Sequence, residues 1–78
     1  MGKRMITTRF GRIIHMEAVE RISKLIGKET EFVRLAIEST EAYNAFSVGV
    51  SLCRNFDLDV EKYAGEIRAI IHDTETPD

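Results

Sequence analysis

Hydrophobic and polar positions change their spacing several times along this chain, and each change predicts a different element. Residues 3–10, KRMITTRF, alternate: Ile6, Thr8 and Phe10 share one face, while Lys3, Met5, Thr7 and Arg9 share the other. That pattern predicts a short N-terminal strand, ended by Gly11. A lone strand leaves its backbone unpaired, and no second strand stands out, so a second copy of the chain is expected to supply the partner. From Arg12 to Ile26 the period lengthens. Ile14, Ala18, Val19, Ile22, Leu25 and Ile26 recur at three- and four-residue steps, the apolar stripe of a helix, and Gly27 suits its left-handed C-terminal cap.

Thr30 has the side chain of an N-cap for a second helix beginning near Glu31. Its apolar positions, Phe32, Val33, Ala36 and Ile37, continue through Ala42, Tyr43, Phe46, Val50 and Cys53, which predicts one long helix. The stretch FSVGVSLC also alternates strictly, and Gly49 weakens a helix interior by about 0.8–1.0 kcal/mol relative to alanine. A strand over 46–53 is therefore the alternative; helix is preferred because no turn signal separates the stretch from the helical residues before it. A helix there is apolar on both sides and must be covered on both. Asn55 to Asp57 read as a turn, Asp59 as the N-cap of a third helix with Leu58 packing on Tyr63, and Val60, Tyr63, Ala64, Ile67, Ile70 and Ile71 as its apolar face, ending near His72. The expected organisation is one helical domain over residues 1–73 and a disordered polar tail over 74–78, which holds Pro77.

Length changes the picture by asking what supports so small a core. A chain of 78 residues builds one core, and a core of this size rarely supplies more than about 3–5 kcal/mol unaided. Cys53 is the one cysteine, so no internal disulfide forms, and no paired Cys/His spacing marks a zinc site. Self-association is left as the source of extra buried surface. A single cysteine in an apolar run reads as a buried small hydrophobe in a reducing cytoplasm. No run approaches the roughly 20 apolar residues of a membrane span, so no membrane partner is expected.

Net charge is −2, but its distribution is uneven. Lys3, Arg4, Arg9 and Arg12 precede the first acidic residue, Glu17, whereas the far end carries Asp57, Asp59, Glu61, Glu66, Asp73, Glu75 and Asp78 against Lys62 and Arg68. Such asymmetry fits a basic arm aimed at an anionic partner, or a solvated basic terminus with no partner. Catalytic constellations are absent. His15 and His72 are far apart in sequence, no Ser/His/Asp or Cys/His motif is present, and Gly27-Lys28 lacks the glycine-rich loop of a phosphate cradle. The glutamates at 17, 20, 29, 31, 38 and 41 fall where solvated helix faces belong, Glu20 and Lys24 forming an ordinary i,i+4 pair. No enzyme activity, cofactor or metal is expected.

The stretch ISKLIGKETEFVRLAIE, residues 22–38, resembles the helix–turn–helix-B segment of ribbon-helix-helix DNA-binding proteins, through Gly27, Lys28, Thr30, Glu31, Phe32, Val33, Arg34, Ala36 and Ile37. KRMITTRF stands where that family carries a basic strand, so the resemblance covers roughly residues 3–40. It implies a homodimeric transcriptional regulator whose two strands pair as an antiparallel ribbon in the DNA major groove. By that resemblance Arg9, Thr7 and Met5 face bases, Lys3 and Arg4 serve phosphate, and the amino end of the second helix at Lys28 to Thr30 holds a backbone phosphate. Ile6, Phe10, Phe32, Val33, Ala36, Ile37, Phe46 and Val50 would form the dimer interface, and the third helix would extend the dimer or contact another protein. FGRIIHMEAVERIS, residues 10–23, is also similar to the first helix and loop of archaeal histones, although the acidic balance is wrong for wrapping DNA. The expected fold is mainly α: a short N-terminal strand, then three helices, as a ribbon-helix-helix-like dimer with a C-terminal helical extension. The alternative function is a helical protein–protein interaction module (inhibitor, adaptor or antitoxin) that does not bind DNA.

Overall fold

The computed structural model describes residues 4–75. The fold is mainly helical, as its periodicity predicts, with two short strands ahead of four helices: β1 (Met5–Thr7), β2 (Ile13–His15), α1 (Met16–Ile26), α2 (Thr30–Ser39), α3 (Ala45–Asn55) and α4 (Val60–Glu75).

The N-terminal strand finds its partner in its own chain. β1 and β2 pair antiparallel, with Met5 opposite His15, Ile6 opposite Ile14 and Thr7 opposite Ile13. Residues 8–12 connect them: the Gly11 N–H donates to the Thr8 carbonyl at 3.0 Å, and the Thr8 N–H donates to the Arg12 carbonyl at 2.9 Å. Gly11 holds φ +87°, the left-handed conformation that closes this hairpin type and that a side chain would strain. Helix therefore begins at Met16 rather than Arg12, and Ile14, read as the start of the helical stripe, is a buried strand residue. The hairpin also removes the need for a second copy to pair β1.

The stripe of α1 holds: Ala18, Val19, Ile22 and Ile26 are buried. Its end is the one expected, with Gly27 at φ +71° and the Lys28 N–H reaching back to the Ser23 carbonyl at 3.0 Å. Thr30, expected as an N-cap, is instead the first residue of α2, and its hydroxyl bonds that of Ser23 at 3.0 Å, joining α1 to α2.

The expected long second helix is two helices. Ser39 turns its hydroxyl back to the Leu35 and Ala36 carbonyls, Thr40 is extended, and Asn44 caps α3 by accepting from the Ser47 N–H at 2.8 Å. The connecting segment is tied to the hairpin. The Thr8 hydroxyl donates to the Ala42 carbonyl at 2.6 Å, and the Arg9 N–H donates to the Thr40 carbonyl at 3.0 Å. Residues 46–53 are helical, as preferred over the strand alternative.

Breaking the long helix lets α3 fold against α4, where Gly49 permits near backbone contact: a Cβ there would lie 2.8 Å from the Ala64 carbonyl oxygen. After α3 the chain turns at Asp57 (φ +57°), with the Leu58 N–H donating to the Cys53 carbonyl at 2.7 Å. Asp59 then caps α4, its carboxylate accepting from the Glu61 N–H at 3.0 Å, as expected. That helix runs past His72 to Glu75, so Thr74 and Glu75 belong to the fold rather than to a tail; residues 76–78 lie outside the described residues. One core gathers Ile14, Val19, Ile22, Val33, Ile37, Val48, Leu52, Ile67 and Ile71, each worth about 1.5–3 kcal/mol of apolar transfer when fully buried.

Candidate interaction surfaces

The predicted DNA-facing residues divide into free and occupied groups. Lys3 lies outside the described residues. On β1 the alternation is obeyed as far as Thr8: Ile6 and Thr8 turn inward, Met5 and Thr7 outward, with Ile13 exposed beside Thr7 on the paired strand. Phe10, expected to pack inward with them, is exposed at the tip of the hairpin, because the alternation stops where the turn begins. Arg4 and Arg9 are exposed, and among the described residues neither forms an ion pair. At the α2 end, Lys28 lies over the Phe56 ring, 6.0 Å from its centroid. The Thr30 hydroxyl is taken by Ser23.

Arg12 has an internal role. Its Nη2 donates to both Glu75 carboxylate oxygens at 2.8 and 2.7 Å, its Nη1 donates to the Tyr43 carbonyl at 3.3 Å, and the guanidinium sits 6.0 Å from the Tyr43 ring centroid. Arg21 similarly pairs with Asp73 at 2.6 Å. Part of the charge asymmetry is thus satisfied within the molecule, where basic residues of the first third meet the acidic end of α4. Arg34 bridges Glu31 and Glu38 along α2, and its hydrogen bonds hold the Glu31 carboxyl below its ordinary pKa.

The residues expected at a dimer interface also divide. Val33, Ala36 and Ile37 are buried in the core of the single chain, covered by its own elements and therefore not open to a partner. Ile6 is half-buried against that core. Phe10, Phe32 and Phe46 are exposed, and Val50 is half-buried. Sequence reasoning missed Ile13, Leu35 and Tyr43, which are exposed as well. Excess apolar positions were the available signal: α2 carries Phe32 and Leu35 beyond the stripe Val33, Ala36, Ile37 that fills its core face.

A groove of about 430 Å³ runs along α3, between its Phe46, Val50 and Arg54 side and the connecting segment Thr40–Ala42. The hydroxyls of Thr40 and Ser51 bond across its floor. Glu41 and Arg54 line it as well, both exposed and, among the described residues, neither in an ion pair. Cys53 is fully buried, and that burial, reinforced by Asp59, pushes its thiol pKa up, away from the reactive thiolate. Among the described residues, no group of three or more His, Cys, Asp or Glu could hold a metal ion, and no helix is long and apolar enough to cross a membrane.

No family model, characterised protein or solved structure matches the chain.

Proposed function

We propose that this chain is a helical protein–protein interaction module that associates first of all with itself. One observation carries the reading. Seven large apolar side chains (Met5, Phe10, Ile13, Phe32, Leu35, Tyr43 and Phe46) are 48–60% exposed although the core is already filled. Four of the six aromatics are among them. Isolated exposed hydrophobes are ordinary on a soluble surface, but outward-facing aromatics of this number supply the rigid, area-rich anchors that protein interfaces use. Sedimentation equilibrium across a concentration series tests it. The expected result is a mass rising from 8.9 kDa towards twice that value, with replacement of Phe10, Phe32 and Phe46 together by serine returning the monomer. A wild-type chain that stays monomeric at millimolar concentration would sink the reading.

A second reading, DNA binding and transcriptional regulation through the hairpin, is favoured by Arg4 and Arg9, which flank the outward Thr7, are exposed and form no ion pair among the described residues. On this reading affinity for duplex DNA falls steeply with added salt, and Lys3→Ala and Arg9→Ala each make that slope shallower by about one. Against it stand the net charge of −2 and an outer hairpin face of Met5, Thr7 and Ile13 that offers a phosphate backbone little.

A further inference from the structure

Resting on the self-association reading, we infer that the α3 groove is the dimer interface, occupied by α3 of a second copy running antiparallel, with Phe46 of each chain against Arg54 of the other. Phe46, Val50 and Arg54 stand at i, i+4 and i+8, one row on one helix face. At 1.5 Å per residue the row spans about 12 Å, with Val50 at its midpoint. A two-fold axis beside Val50 therefore sets Val50 on Val50, and by the same symmetry brings the ring at one end of the row onto the guanidinium at the other. A cation over an aromatic face is an attractive pairing, and Arg54 makes no other within its own chain among the described residues.

Charge permits the self-pairing. Each groove brings one carboxylate, Glu41, and one guanidinium, Arg54, neither in an ion pair among the described residues, so two copies meet with two of each sign and no net repulsion. Size permits it too. A standard interface buries roughly 800 Å² on each partner, about a sixth of the 5057 Å² this chain exposes. Ser47, beside Phe46, is small and half-buried, which leaves room for the second helix to approach.

The test is a dissociation constant from sedimentation equilibrium for the wild type, Phe46→Ala, Arg54→Ala, the double variant and Val50→Arg, with circular dichroism melts confirming that each still folds. Val50→Arg sets two like charges on the axis and is expected to weaken the dimer at least about 100-fold. Phe46→Ala and Arg54→Ala are each expected to weaken it about 5- to 10-fold, and the double variant by less than their product, because both remove the same contact. A dimer that tolerates Val50→Arg overturns the groove assignment and leaves self-association standing. Sensitivity to Val50→Arg with independent effects of Phe46→Ala and Arg54→Ala overturns the antiparallel pairing. A monomeric wild type overturns this inference together with the reading beneath it.

Discussion

At the scale of single residues, three positions decide where the backbone can go, and they differ in how visible they are. Gly27 and Gly11 both hold positive φ; a glycine at the end of an apolar stripe announces a cap, whereas Gly11 reads in the sequence only as the end of the strand, although it closes a hairpin. Asp57 takes the same left-handed conformation at the end of α3 without being glycine, and sequence offers only a turn there. Gly49 is the position where a substitution says most. Helix propensity alone predicts that Gly49→Ala stabilises α3 by about 1 kcal/mol. The new Cβ would meet the Ala64 backbone oxygen at 2.8 Å and its Cα at 3.3 Å, and backbone cannot swing aside as a flexible side chain would. Overpacking of this kind costs about 1–3 kcal/mol and outweighs the propensity gain. The expected outcome is a net loss of up to about 2 kcal/mol in urea unfolding; a raised midpoint would show that α3 and α4 do not cross so closely.

Elements were legible where their periodicity was uninterrupted, and illegible where two elements met without a glycine or proline between them. The stripes of α1 and α4 and the cap at Asp59 follow from spacing and side-chain chemistry, and the structure keeps them. The α2–α3 break was hidden because Ala42 and Ala45 keep a roughly helical step while both are buried, although the chain between them is not helical. Its punctuation is carried by side chains: Ser39 bonding back into α2, and Asn44 accepting from α3. β2 was hidden for a related reason. Ile14 lies at helical spacing from Ala18, so the hairpin's second strand was absorbed into the helix that follows it. The candidate interface is half legible for the same cause. The resemblance puts Val33, Ala36 and Ile37 at a dimer interface, yet α1, α3 and β1 pack on α2 and make them the chain's own core. The exposed ring of Phe46 and the groove beneath it exist because the long helix breaks.

For the whole molecule, the open question is what holds the two ends together, since the basic first third and the acidic last helix are far apart in sequence. Arg12 and Glu75 are 63 residues apart and meet in a two-pronged ion pair whose side chains are only 16% and 31% exposed. Surface pairs usually contribute less than about 1 kcal/mol. Here one nitrogen, Nη2, serves both carboxylate oxygens, while Tyr43 offers its carbonyl to Nη1 and its ring to the same guanidinium. A double-mutant cycle of Arg12→Ala, Glu75→Ala and the pair, read from denaturant midpoints, is expected to give a coupling of about 1 kcal/mol. That would lower the melting temperature of Glu75→Ala by about 4–8 °C. Because its side chains are less exposed than those of Arg21 and Asp73, the coupling should persist in salt better than that of the second pair. A coupling indistinguishable from zero would mean that the Arg12–Glu75 pair does not help to hold α4, which then rests on Ile67 and Ile71 in the core and on the Arg21–Asp73 pair.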